Sequence, residues 1–257
     1  SYGYWDSLNE KIEKFMTEDL GITFEHAFCK ANEIEFVGEF KYCIERSNEI
    51  SIKIYELIEL LPELKDTVYK HTAINGSRYD FTEDNIDNPK YLSLKTNKRK
   101  GGKVAPQVIG QPSVEKFCEV ISRYDNFNIT YTNNDDLKNF ISENISDILK
   151  VMIDFTFDCP NLYYNEEEGV IKYIKLKNEI IWDKSKIGHT GIIENGIWYK
   201  NKKGQKVLTK SKSFKYNNKK IIEIQFHDKN RKNMAIRWYY NNLLDCFKDN
   251  FEITTSN

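Results

Sequence analysis

Asp80 and Lys95 stand fifteen positions apart, and Lys95 lies in the alternating run Tyr91-Leu92-Ser93-Leu94-Lys95-Thr96. A carboxylate is a hard oxygen ligand for a divalent cation such as Mg²⁺, which polarises a scissile phosphate and lowers the pKa of an attacking water. A lysine beside the same phosphate orients that water and offsets the negative charge that develops. In an extended strand residues i and i+2 share a face, so Ser93 and Lys95 point the same way. The Leu94 carbonyl adds a backbone oxygen to the ligands on offer. These types at this spacing point to metal-assisted phosphodiester hydrolysis, with Asp80 on an adjoining strand of a hairpin-like unit. Ser93 puts a hydroxyl rather than a carboxylate on the face that it shares with Lys95. Asp84 and Asp87 compete with Asp80 as the upstream acid, and Glu115 is the first acid after Lys95.

Charge is segregated around this run. From Asp87 to Glu115 there is no acid, but there are six basic residues, in a chain whose formal net charge is -1. A second acid-free stretch, residues 195–222, holds nine lysines. Segregation of this kind places a basic face on a near-neutral protein, the footprint of phosphate binding, although a solvated lysine-rich loop gives the same pattern.

The elements that must position these residues are legible in part. Residues 5–20 carry Trp5, Leu8, Ile12, Phe15 and Met16 at helical spacing, with Gly21 placed to end the helix. Residues 23–31 read as another short helix. Residues 49–69 are ambiguous, since Ile50, Ile52 and Ile54 alternate like a strand before a more helical Leu57 to Leu61. A short strand is expected around Tyr79-Asp80-Phe81 and another over Tyr91–Thr96. Ser113 is an N-cap candidate for a helix that has Glu115 in its first turn, where the dipole favours a carboxylate. Residues 134–155 read as one amphipathic helix. From Gly169 short β-rich runs follow (170–176, 179–182, 191–199, 221–226 and 235–240), and a last helix covers 241–247. The fold class expected is mixed α/β in a single domain, residues 1–257, with a core over 1–165 and a β-rich extension over 166–257.

Other classes fare worse. Hydrophobic residues make up 40% and aromatics 14% of the chain, enough to build a core, and no apolar run reaches the roughly 18–20 residues of a membrane span. Five scattered cysteines without a CxxC argue against a disulfide framework or a zinc site. The opening residues lack the blocks of a signal peptide, so a cytoplasmic protein is expected. No GxxxxGK[ST], GxSxG or HExxH occurs.

Tyr79-Asp80, the run Tyr91 to Thr96, and Gly101-Gly102-Lys103-Val104-Ala105-Pro106-Gln107 leading into Gly110-Gln111-Pro112 together resemble type II restriction endonucleases. The likeness is to the PD-(D/E)xK nuclease superfamily in an S-x-K variant, and it covers residues 70–122. A supporting likeness is the hairpin from Glu223-Ile224-Gln225-Phe226-His227 through Arg231 to Ala235-Ile236-Arg237-Trp238. The resemblance implies a central mixed sheet flanked by helices, with the β-rich part reading DNA. It implies a prokaryotic, Mg²⁺-dependent, sequence-specific endonuclease acting on double-stranded DNA as a homodimer. The family's pattern usually has a carboxylate where Ser93 stands, and the resemblance implies that Glu115, from the helix that follows, would replace it, with Asp84 or Asp87 as alternatives. Asp80, Ser93, Lys95 and Glu115 would form its catalytic set, with Asp80, the Leu94 carbonyl and Glu115 on the metal. Lys98, Arg99, Lys103, Gln107, Gln111, Gln225, His227, Arg231 and Arg237 would meet the DNA. Glu25 reads as a helix-surface charge, with a second-metal ligand or structural acid as its alternative. A non-catalytic nucleic-acid-binding protein is the rival reading of the whole, with Ser93 then marking the absence of a metal site.

Overall fold

The structure is a computed structural model that describes residues 19–74, 77–106, 109–123, 129–203, 205–227 and 232–257. The helix expected over 5–20 therefore lies almost wholly outside the described residues, as do Gln107 and Arg231. In chain order the elements open with α1 (Leu20–Ala31), α2 (Ile44–Glu59), α3 (Pro62–Lys65), β1 (Tyr69–His71), β2 (Phe81–Glu83), β3 (Tyr91–Asn97) and β4 (Lys103–Val104). There follow α4 (Val114–Ser122), α5 (Asn134–Glu143), α6 (Ile145–Thr156), β5 (Asn161–Asn165), β6 (Val170–Leu176), β7 (Ile187–His189) and β8 (Ile192–Glu194). The chain ends with β9 (Ile197–Lys202), β10 (Gln205–Leu208), β11 (Ser211–Tyr216), β12 (Lys219–Phe226), β13 (Met234–Tyr239), α7 (Tyr240–Cys246) and β14 (Phe251–Thr255). The mixed α/β class expected from the sequence is what is found.

The chain divides into two compact units, each assembled from separate segments. The first comprises residues 1–102, 159–175 and 252–257. Its sheet has the order β1-β2-β3-β5-β6-β14, with β2 antiparallel to both β1 and β3, and β5 parallel to β3 but antiparallel to β6. A parallel pair needs a long crossover. Here the crossover from β3 to β5 carries residues 103–158, which belong to the second unit. In α1 the buried Leu20, Thr23, Phe24, Ala27 and Phe28 recur at i, i+3, i+4, i+7 and i+8, one stripe along a helix. Phe24 meets the Tyr164 ring at 5.6 Å and Phe28 meets Phe81 at 4.4 Å, so α1 packs on the sheet. Gly21 does not end a helix; it is the second residue of α1. The ambiguous segment 49–69 resolves as helix through α2, which buries Ile50, Ile54, Leu57 and Ile58 while Ile52 is 61% exposed.

The second unit comprises residues 103–158 and 176–251. It has an antiparallel sheet of order β4-β13-β12-β11-β7 and a smaller one of order β10-β9-β8. Ile222, Ile224, Ile236 and Trp238 fill one face of the larger sheet, where the Trp238 indole N–H donates to Thr156 Oγ1 of α6 at 2.9 Å. The single helix expected over 134–155 is broken at Asn144, whose backbone and side-chain N–H both donate to the Phe140 carbonyl at 3.0 Å. Such side-chain competition for the backbone is why asparagine suits helix ends. The run 191–199 is a hairpin, because Asn195 and Gly196 both take positive φ (48° and 72°) and form the tight turn between β8 and β9. The strand expected over 179–182 is absent. Just before it the Asn250 carbonyl accepts from Lys177 and Asn178 at 2.8 and 3.2 Å, and Asn250 Nδ2 donates to the Glu179 carbonyl at 3.0 Å.

Candidate active site

Within the first unit, Asp80 sits one residue before β2, and Tyr79 stacks on Tyr91 of β3 with ring centroids 4.0 Å apart. That stack turns the Asp80 carboxylate onto β3, where Oδ2 accepts the Leu94 N–H at 2.6 Å. Lys95 follows Leu94, and it is the charged group that most stabilises the Asp80 carboxylate. Burial nevertheless outweighs that help and pushes the Asp80 pKa up to about 6, with the Glu25 charge adding to the rise. Burial likewise pulls the Lys95 ammonium below its ordinary range, against the support of Asp80, Cys159 and Glu25. Each member of the pair is thus held closer to neutrality than it would be in water. The competing aspartates are placed elsewhere: Asp84 lies 3.9 Å from Lys70, and Asp87 is exposed in the β2–β3 turn.

The electrostatic coupling of Glu25 to Asp80 and Lys95 brings α1 into the site. Glu25 is not the free helix-surface charge favoured from sequence. Its side chain is 20% exposed, and Oε2 lies 3.0 Å from His71 Nε2 at the end of β1. The Val37 backbone N–H donates to His71 Nδ1 at 3.1 Å. A nitrogen that accepts carries no proton, so Nε2 bears the hydrogen and donates it to Glu25. His71 is 6% exposed and stacks against Phe36 at 4.8 Å, which fixes the ring plane. Nothing local in the sequence marks this pairing of residues on different elements.

Ser93 is fully buried, with its hydroxyl 3.5 Å from Cys159 Sγ. Glu115 opens α4 in the second unit, where Ser113 caps the helix by accepting the Lys116 N–H at 3.1 Å. There it shares the lining of a cavity of about 420 Å³ with His227, Lys232 and Asn133. Among the described residues no three His, Cys, Asp or Glu side chains gather closely enough to hold a metal alone. Mg²⁺ does not require three, since it is commonly held by one or two carboxylates with waters and substrate phosphates completing the shell. Asp80 and Glu25, two mutually repelling carboxylates, fit that donor set.

The candidate DNA-contacting residues fall into groups. Lys98 and Arg99 lie just after β3, in a turn held by Asn165 Nδ2, which donates to the Arg99 carbonyl at 3.1 Å. On the larger sheet of the second unit, Arg237 pairs across from Glu223, Gln225 across from Ala235, and Lys103 across from Tyr239. Residues opposite one another or two apart share a face, so Lys103, Gln225 and Arg237 lie on the same one. Gln111 joins them, because the Gly110 and Pro112 carbonyls accept from Ile236 at 2.9 Å and Met234 at 2.8 Å, setting Gln111 opposite Ala235. On this face Lys103 is paired with Glu223, at 3.0 and 3.1 Å to its two oxygens. His227 follows β12 at the Glu115 cavity.

The buried carboxylate carries a pH signature. Asp80 is raised from 3.8 to about 6, so the cost of its charge is absent below pH 4 and fully present above pH 6. In metal-free protein, Asp80→Asn should raise thermal stability at pH 8 by about 2–3 kcal/mol, and the gain should vanish near pH 4. Unfolding followed at both pH values in chelator checks this.

The chain is 39% identical over 240 residues, 93% of its length, to the type II restriction enzyme CviAII of Paramecium bursaria Chlorella virus 1. It spans 63% of that relative's length. No family model and no solved structure matches it. No helix among the described residues is long and apolar enough to cross a membrane.

Proposed function

We propose that this chain is a type II restriction endonuclease that cuts double-stranded DNA at a specific sequence, using Mg²⁺. The observation that carries the proposal is the meeting of Asp80, Lys95 and Glu25 in one unit, in a chain 39% identical to a type II restriction enzyme. A restriction-endonuclease-like arrangement of the PD-(D/E)xK kind is supported by the β1-β2-β3 meander continued through a parallel β5, with α1 packed on the sheet.

In this reading Asp80, Glu25 and the Leu94 carbonyl hold the cation, and Glu25 rather than Glu115 supplies the acid missing at Ser93. Mg²⁺ bound there would polarise the scissile phosphate and make water a better nucleophile. Lys95 orients the water for in-line attack and offsets charge on the phosphate. Its lowered pKa also brings it closer to the range in which an amine accepts a proton. Ser93 packs the strand against Cys159 and leaves the metal to the other residues. His71 holds the Glu25 carboxylate by its Nε2–H. We assign the first unit to cleavage and the second to sequence reading, so that residues 103–158 go with the β-rich part. Gln111, Gln225 and Arg237 are suited to base edges, since glutamine reads adenine and arginine reads guanine bidentately. Lys98, Arg99 and Lys103 suit phosphates. Palindromic sites match two-fold protein symmetry, which favours a homodimer.

Incubation with plasmid DNA with and without Mg²⁺ tests the function. Discrete bands only with the metal are expected; a mobility shift without cleavage under any divalent cation would favour a non-catalytic binder. A finer outcome concerns His71. Partners that orient metal ligands are worth about 10–100-fold in metal affinity or activity. His71→Leu should therefore raise the Mg²⁺ concentration for half-maximal rate by about tenfold, while His71→Gln, which keeps an N–H donor, should recover much of the loss. Equal behaviour of the two variants in a Mg²⁺ titration would remove His71 from this role.

A further inference from the structure

The acid-free stretch 195–222 carries nine lysines that the cleavage site does not use. Within the second unit, segments of β9 to β12 wall a cavity of about 720 Å³, inside the roughly 300–1,000 Å³ typical of ligand pockets. Lys200, Lys210, Lys212 and Lys220 line it together with hydroxyl side chains such as Thr209 and Ser213, and among the described residues its lining contains no acid. On the adjoining β8, Glu194 is committed to Lys206.

One of the lysines is built in. Lys212 is 2% exposed, and its ammonium donates to the carbonyls of Thr190 and, at 3.1 Å, Tyr199. An ammonium has three donors, so one remains beyond these two carbonyls. Gly191 makes room for this arrangement: its φ is +81°, and a Cβ there would lie 2.5 Å from the Tyr199 oxygen and 2.9 Å from Lys212 Nζ. Burial lowers the Lys212 pKa, a penalty that a bound anion would oppose. The half-exposed Val207 and Leu208 add apolar lining, at 54% and 59% exposure. Lysines act as point charges toward phosphate, and apolar side chains suit the sugar faces between successive phosphates better than they suit a free ion.

We propose that this lysine-walled cavity, whose Ser211 and Ser213 lie opposite Gln225 and Glu223 on the sheet face suited to base edges, binds the phosphodiester backbone of DNA. The proposal rests on the DNA-cleaving function above. It accounts for the second acid-free stretch as sequence-independent affinity, since phosphate contacts position a duplex without reading it.

The test is the salt dependence of binding to cognate and non-cognate duplexes, measured in Ca²⁺ with the full chain. Lys200, Lys210 and Lys220 are all exposed, so changing them together to glutamine should leave the fold intact. A charge-matched control changes Lys150, Lys219 and Lys248, each paired on the surface with Glu179 or Asp245. Each neutralised phosphate contributes about 0.9 to the slope of log affinity against log salt. The cavity variant should lose about two to three units of slope, equally on both duplexes, while the control keeps the parent's slope. An unchanged slope, or an equal fall in the control, overturns the cavity assignment; the nuclease reading then survives in a parent that still cuts. A parent that neither binds nor cuts DNA overturns both.

Discussion

Lys95→Met should cut DNA at least about 10²–10³-fold more slowly than the parent while binding the same duplex with similar affinity. The size follows from the loss of a positioned charge where negative charge develops in the transition state. Methionine keeps most of the buried stem, so the loss belongs to the ammonium. A second consequence comes from the coupling of the pair. Lys95 is the strongest influence holding the Asp80 pKa down against burial. Without it Asp80 should bind protons more tightly, so the variant's residual activity should need a higher pH or more Mg²⁺ than the parent's. Single-turnover rates across pH, with binding measured separately in Ca²⁺, check both parts. A variant that cuts as fast as the parent removes Lys95 from the site.

The second large effect separates two acids. Glu25→Gln should lose about 10²-fold or more in cleavage rate, and Glu115→Gln less than about threefold. Glu25 shares a unit and a direct electrostatic coupling with Asp80, and its orientation is held by His71. Glu115 is exposed at the start of α4, beside His227 and Lys232. Glutamine keeps size and hydrogen bonding but is a poor ligand for a hard cation, so the contrast isolates ligand charge. Calorimetric titration of Mg²⁺ without DNA gives an independent reading, in which Glu25→Gln should weaken binding and Glu115→Gln should not. The reverse order would return the missing acid to Glu115.

What could be read from the chain follows how local each signal is. The β3 strand, the Ser113 cap and the β12–β13 hairpin are written in alternation, capping chemistry and strand formers, and the structure has them where expected. Asp80 was legible as an acid upstream of Lys95, but its choice over Asp84 and Asp87 depends on the Tyr79–Tyr91 stack and the Leu94 N–H. Glu25 could not be ranked from sequence, because its meaning comes from His71, which lies 46 residues away and is itself set by Val37. Strand β5 is not legible in the sequence because all of Asn161–Asn165 is buried, so no alternation marks it, and its terminal asparagines resemble turn residues. The Asn195-Gly196 turn is a dipeptide signal that lies inside the longer β-rich run 191–199. The interleaving of the two units is a property of the whole topology, in which the β3–β5 crossover contributes to the other unit.

The central proposal is sequence-specific, metal-dependent cleavage by the Asp80–Lys95 site. The most direct test is to digest a plasmid of known sequence in Mg²⁺ and sequence the ends of the fragments. Every end should fall at the same short site, with a 5′-phosphate or 3′-phosphate fixed throughout, and the Lys95→Met protein at equal concentration should yield almost none. Ends scattered over unrelated sequences, or equal cutting by the variant, would contradict it.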